Sequence, residues 1–361
     1  MELGVFYPSA YSGWLVTTES PTKNVDFAHA KEVVIAAEQA HLEFALSMVK
    51  FRGFGGPSHF WENALESFTL SAALAAVTER IRLFASNGVL ALPPVYAAQM
   101  ALTIDSVAPG RFGINIVSGW QKAEYEQMGV WPGEEHYTRR YDYSTEYVEI
   151  MKQLWDEGTC DFHGEFFDIK NARLAFEPPR KSFEIVCAGQ SERGMRFCAE
   201  QGDYNFILGV GLNTPTAFTS LNEQLLHQGE IAGRDVGSIP TFMLIGAETD
   251  EQASARWRHY VDHADRDALS WLIDQASLDT TAQEGATLKT VTLPERSVCM
   301  GFGTLVGSYE NLAHMLDEVA AVPGTKGIML AFDEHVSGLG WFAERVQPLM
   351  DSRRDALAVS Q

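Results

Sequence analysis

Ile81-Arg82-Leu83-Phe84-Ala85-Ser86-Asn87, then Tyr96–Val107, then Arg111-Phe112-Gly113-Ile114-Asn115-Ile116-Val117 form the stretch that decides the fold. Two apolar runs of strand length flank a segment long enough for a helix, and strands joined through a helix must be parallel. The alternation continues outward on both sides. Upstream lie a strand at Leu3–Tyr7, a helix at Val25–Ala40 with Asn24 or Asp26 as N-cap, a strand at Glu43–Val49 and a long helix at Glu62–Arg80. Downstream come helices at Tyr141–Asp156, Glu192–Glu200, Thr216–Gln228 and Gln252–Ala264, between strands at Phe183–Ala188, Tyr204–Leu208, Thr241–Ala247 and Gly327–Phe332. Eight strands, each followed by helical sequence, predict an α/β fold: a closed (β/α)8 TIM barrel, one domain over residues 1–361 without linker or repeat.

Two stretches interrupt the rhythm. Ser118–Arg140, rich in aromatics and charge, follows strand four; Leu278–Met300, polar and Thr-rich, precedes the last helix and strand and is expected to be a mobile segment. A small hairpin is expected around Cys160–Ile169. In such barrels the segments that follow strands build the active face.

Composition narrows the partners. Among 361 residues, 46% are hydrophobic and 21% charged, and the net charge is −21, which disfavours nucleic-acid and anionic-membrane partners. The longest apolar runs, such as Leu70–Val77, are far short of the ~20 residues that span a bilayer. The N-terminus reads as a strand rather than a signal peptide, and four cysteines without CxxC spacing read as free thiols, so a cytoplasmic location is expected.

Several chemistries are disfavoured. The string Gly301-Phe302-Gly303-Thr304-Leu305-Val306-Gly307 lacks dinucleotide-binding spacing, and Gly307-Ser308 reads as a helix cap. Neither HxH nor HExxH occurs among the ten histidines, so no metal is expected; GxSxG is also absent. The strand ends say more. Asn115-Ile116-Val117-Ser118-Gly119-Trp120, with Glu124 beyond, gathers hydrogen-bonding and stacking groups at the barrel mouth, although Trp120 and Trp131 could equally pin the insertion and Glu124 could be a solvated loop charge. Gly189-Gln190-Ser191 opens a helix whose free N–H groups suit an anion, and Arg139-Arg140-Tyr141 offers a basic pair. The alternative is an ordinary capped helix beside a surface arginine pair. Together these residues point to a planar cofactor bearing phosphate.

Phe44–Lys50, Arg52–Gly56, Leu65–Leu70, Gly119–Lys122, Glu124–Gly129, Arg139–Tyr143, Cys187–Ser191, Asn213–Phe218, Gly303–Tyr309 and Met315–Val319 resemble strings of the bacterial luciferase-like family of flavin-dependent monooxygenases. Within it they are most similar to the branch that opens the uracil ring. The resemblance implies FMN used as FMNH2 from a separate NAD(P)H-dependent flavin reductase, O2 as co-substrate, and a flavin peroxide that cleaves the N3–C4 bond of uracil to give ureidoacrylate. It implies FMN contacts at Val49, Lys50 (on strand two), Asn115, Glu124, Arg140, Tyr141 and Ser191, oxygen held by Ser86 and Asn115, and substrate contacts at Trp120 and Glu124. A homo-oligomer, dimer or tetramer, is expected. Two departures, Ser86-Asn87-Gly88 at strand three and the bulky Tyr7-Pro8-Ser9-Ala10-Tyr11 at strand one, are expected to change the pocket near the ring. Asn115–Trp120 also resembles sulfone and alkanesulfonate monooxygenases of the family, which leaves an organosulfur substrate as the alternative; a flavin-binding protein without turnover is a third reading.

Overall fold

Strand β1 (Glu2–Phe6) begins a chain in which short apolar strands and amphipathic helices alternate. In the computed structural model, which describes residues 1–23, 25–175, 182–282 and 298–359, there follow α1 (Phe27–Gln39), β2 (Phe44–Leu46), α2 (Ser67–Ala75), β3 (Arg82–Gly88), α3 (Pro94–Val107), β4 (Phe112–Val117), α4 (Lys122–Glu126) and α5 (His136–Glu157). An antiparallel hairpin, β5 (Thr159–His163) and β6 (Asp168–Arg173), stands apart from the main sheet where a hairpin was expected. Then come β7 (Glu184–Ala188), α6 (Glu192–Gln201), β8 (Tyr204–Leu208), α7 (Thr219–Ala232), β9 (Gly237–Ala247), α8 (Asp250–Asp262), α9 (Arg266–Ser277), β10 (Gly303–Ser308), α10 (Tyr309–Ala321), β11 (Gly327–Phe332) and α11 (His335–Trp341).

The main sheet is parallel throughout and closes on itself in the order β1-β2-β3-β4-β7-β8-β9-β11, back to β1. This is the expected barrel. One strand was not foreseen. The first half of β9 pairs with β8 and the second half with β10, so β10 continues the barrel wall beyond the end of β8. Its short Gly-flanked sequence gave no such signal; the eleven-residue length of β9 creates the opening for it. Ser308 does cap the next helix, accepting from Asn311 N–H.

Other boundaries moved for local reasons. Asp26 is the N-cap of α1, accepting from His29 N–H, whereas Asn24 lies outside the described residues. The helix expected over Glu62–Arg80 is only Ser67–Ala75. Its first residues lie extended instead, with Leu65 N–H donating to Ser9 O and Tyr11 N–H to Asn63 O, and Glu66 caps the helix by accepting from Phe68 and Thr69 N–H. Beyond its end, the Arg111 guanidinium donates to the carbonyls of Ala75, Thr78 and Ile81. The Leu278–Met300 stretch expected to be mobile falls mostly outside the described residues, which stop at 282 and resume at 298.

Strand periodicity divides the core into two layers. Leu3, Val5, Leu83, Ala85, Ile114 and Ile116 face outward and pack under the helices, while Phe6, Phe44, Phe84, Val186 and Met243 fill the lumen. Gly113 is needed there: a Cβ would lie 2.4 Å from the Phe84 ring. At the N-terminal end Arg82 ties the strands, donating to Glu2 at 2.5 Å and to Glu184 at 2.8 Å. All four cysteines are buried free thiols.

Arg82→Met leaves Glu2 and Glu184 facing each other. Because Arg82 is partly exposed, a loss of about 1–3 kcal/mol in stability is expected, below that of a fully buried pair. Denaturant unfolding should show it as a lowered midpoint. An unaltered midpoint would mean that backbone pairing alone holds this end.

Candidate active site

A cavity opens at the C-terminal ends of the strands, framed by Phe6, the Met48–Lys50 segment, Ser86, Asn115, the Ala188–Ser191 turn and Phe206. Its wall also includes Val117, Ser118, Trp120, Arg140 and Tyr141. Of the residues singled out from sequence, Val49, Lys50, Ser86, Asn115, Trp120, Arg140, Tyr141 and Ser191 all reach it. Val49 and Lys50 do so from the loop after β2, which ends at Leu46, rather than from the strand itself. Glu124 does not line the wall; it sits behind Lys50.

Ser86 and Asn115 meet because β3 and β4 pair in register at these two residues. The Asn115 Nδ2 donates to Ser86 Oγ at 2.8 Å, and Ser86 Oγ in turn donates to the Ser47 carbonyl. Ser67 Oγ fixes the same corner by bonding Ser47 Oγ and accepting from Ser86 N–H. Asn115 Oδ1 is left buried without a partner among the described residues. An orphan acceptor of this kind calls for a ligand N–H.

Lys50 is a buried cation. Its Nζ lies 3.0 Å from Glu124 Oε1 and donates to Gln121 Oε1 at 2.7 Å. The rings of Phe54, Trp61 and Trp120 surround it at 5.2–5.7 Å, within cation–π range. Burial pushes its pKa down from the ordinary value, and Glu124 opposes that shift. The same Glu124 oxygen accepts from Phe51 N–H, so one carboxylate anchors the loop after β2 to α4.

The far corner suits an anion. Ser191 caps α6, accepting from Gly194 N–H, and leaves the other helix-start N–H groups facing the cavity end of the helix. Gly189 has φ +154°, and a Cβ there would come within 2.5 Å of the Tyr141 hydroxyl. Only glycine lets Tyr141 reach this turn. Arg140 and Arg139 part company: Arg139 turns outward to Glu165, while Arg140 is buried, donates one Nη to Asp279 at 2.9 Å and keeps an Nε with no partner among the described residues. The orphan atoms at Asn115 and Arg140, and the glycine turn under Tyr141, fit a ring-plus-phosphate cofactor.

Within the two departures read from sequence, Ser86 reaches the cavity but Asn87 and Tyr7 point elsewhere. Asn87 faces outward and donates to Tyr147 on α5, and Tyr7 is wholly buried on the outer side of β1, away from the wall. Strand parity sends them there. What sequence reading missed is the aromatic wall: Phe6 stacks on Trp14 at 3.9 Å, and Trp61, Phe206 and Phe302 complete it. Parity along β1 could have exposed Phe6; Trp14, eight residues on, needed the folded loop. His136 was also missed. Burial lowers its pKa, and its Nε2 reaches the carbonyls of Ser118 and Gly119, which holds the turn before Trp120. No group of three metal-ligating side chains and no helix long and apolar enough to cross a membrane occurs among the described residues.

Glu124→Gln leaves the buried Lys50 ammonium with neutral partners only, so its pKa falls further below the ordinary 10.5. The folded state then binds fewer protons than the unfolded chain, and stability rises with pH up to about 10.5. The variant should be weaker than the parent by about 2–3 kcal/mol at pH 7, with the deficit shrinking toward pH 10. Equal deficits at pH 6 and pH 10 in denaturant unfolding would reject the coupling.

Residues 1–325 match the family model described as luciferase-like monooxygenase. The chain is 55% identical over 353 residues to the pyrimidine monooxygenase RutA of Bradyrhizobium sp. strain BTAi1, covering 98% of each protein. It is 49% identical over 361 residues to the pyrimidine monooxygenase RutA of Escherichia coli strain SE11, covering 100% of this chain and 94% of that one. Among solved structures, riboflavin lyase RcaE superposes with TM-score 0.85 at 17% identity, covering 99% of this chain and 92% of that one. The long-chain alkane monooxygenase LadA follows with TM-score 0.80 at 16% identity over 98% and 92%. At these identities the two structures speak for the fold, whereas the family match over most of the chain and the full-length curated relatives speak for descent. The chain belongs to the luciferase-like monooxygenase family.

Proposed function

We propose that this protein is a flavin- and O2-dependent monooxygenase that takes reduced FMN from a separate flavin reductase and opens the N3–C4 bond of uracil or a related pyrimidine, giving a ureidoacrylate. The observation that carries this reading is identity of 49–55% to pyrimidine monooxygenases over essentially the whole chain. The organosulfur alternative is not favoured, because the relatives at 49–55% identity are pyrimidine monooxygenases.

Arg140, Ser191 and the start of α6, with Tyr141 beside them, would hold the cofactor phosphate, and Val49 would lie along its ring side. When bound, reduced flavin supplies the electrons that activate O2. The protein's part is placement and exclusion of water. The aromatic wall of Phe6, Trp14, Trp61 and Phe206 keeps the cavity dry and strengthens every hydrogen bond within it. Trp120 offers a stacking face for a flat heterocycle, and Lys50 offers a positive charge toward a carbonyl oxygen; Glu124 acts by holding Lys50. Ser86 spends its only proton on Ser47 O, so its role is to fix the Asn115 amide. The second Nδ2 proton of Asn115, without a partner among the described residues, would meet charge that develops on oxygen, and Oδ1 would accept from an N–H.

The whole reading is tested by anaerobic FMNH2 titration followed by oxygen and a panel of pyrimidines and sulfones, with products identified by mass. Ring-opened pyrimidine is expected; turnover of sulfone alone would reject it. Asn115→Ala should lower product per FMNH2 oxidised about a hundred- to a thousandfold while FMNH2 still binds, with peroxide released instead. Ser86→Ala should follow it and Ser86→Thr should not; parental coupling in Asn115→Ala would remove the residue from the oxygen chemistry. Arg140→Ala should weaken FMNH2 about ten- to a hundredfold, and unchanged affinity would leave the phosphate to Ser191 and its helix.

A further inference from the structure

Asp279 follows the C-terminal end of α9, and its carboxylate is fully buried against Arg140. Both oxygens are committed. Oδ2 accepts from one Nη of Arg140 at 2.9 Å, and Oδ1 accepts from Thr281 N–H and Oγ1–H. The helix that carries it is pinned independently: Asp265 at its start accepts from Ser58 N–H, and Trp271 packs on Phe54. The position of the carboxylate is therefore set by the fold rather than by Arg140 alone.

Arg140 presents two unlike edges. One Nη is held by Asp279, whereas the Nε, buried beside the cavity, has no partner among the described residues. A guanidinium binds phosphate best through two parallel N–H groups in a fixed plane. We infer that Asp279 is a positioning residue for the cofactor phosphate: by gripping one end of the Arg140 guanidinium it fixes the plane of the fork and leaves the Nε edge open to the anion. This rests on the flavin reading above. The carboxylate also offsets the charge of a buried arginine before the anion arrives, a need that a flexible, solvated arginine would not have.

The test compares FMNH2 with reduced riboflavin, which lacks the phosphate, in anaerobic titrations of the full chain. For the parent, FMNH2 should bind more tightly than reduced riboflavin. Asp279→Ala should weaken FMNH2 about tenfold and leave reduced riboflavin unchanged, and in an Arg140→Ala background it should have no further effect on FMNH2. Asp279→Asn, which keeps an acceptor and the side-chain volume, serves if the alanine variant folds poorly, and its loss should likewise be confined to FMNH2. Tighter FMNH2 binding in either variant would show a carboxylate that competes with phosphate, and equal weakening of both flavins would show general disruption. Undiminished discrimination, or an additive effect in the Arg140→Ala background, would equally overturn the inference while leaving the flavin site standing. A parent that does not distinguish the two flavins would overturn the phosphate site and the inference together.

Discussion

Parallel ring closure is the constraint on which everything else depends. Once eight strands close a parallel ring, every C-terminal end falls on one rim, and every segment that follows a strand must begin there. The long strand β9 makes this possible here by pairing with β8 and β11 and, further along, with β10. Residues distant in sequence then share one cavity: Phe6 from the first strand, Asn115 from the fourth and the Ala188–Ser191 turn after β7. The in-register pairing of Ser86 with Asn115 follows from the same geometry, since side chains opposite one another in neighbouring strands point to the same face.

At the barrel mouth, against this apolar frame, stand the buried cations Lys50 and Arg140, in a chain whose net charge is −21. Lys50 is held by Glu124 from the insertion after β4, and Arg140 by Asp279 beyond α9. In each case the carboxylate comes from a different element, so desolvation of the charge is offset only when the peripheral segments have docked on the rim. The ion pairs therefore link closure of the mouth to the readiness of its charged groups. His136 does a neutral version of the same work, gripping two carbonyls of the turn that leads to Trp120.

Much of the candidate site was legible because barrels place their chemistry at strand ends. Asn115 stood out as a polar residue closing an apolar strand and Ser191 as a cap at the start of a helix, while Ser86 entered through the family resemblance. Errors came where one residue of shift changes the face. Asn87 and Tyr7, read as pocket groups, are turned to the outer layer, and the lumen receives their neighbours, the expected Ser86 and the unforeseen Phe6. Strand β10 escaped notice because its six residues carry no signal of their own apart from the neighbour that recruits them.

The sequence by itself determined the alternation of strand and helix, the number of ring strands save for the extra β10, and the residue types gathered at the rim. These are local properties: periodicity, capping and chain length between elements decide them within a dozen residues. Only the tertiary structure decided which of two adjacent arginines turns inward, that Glu124 stands behind Lys50, that Trp14 stacks on Phe6, and that Asp279 meets Arg140 across 139 positions of sequence. Such choices depend on which segments dock against one another. A side chain's partner across the barrel mouth is fixed by closure of the ring, and no local pattern encodes it.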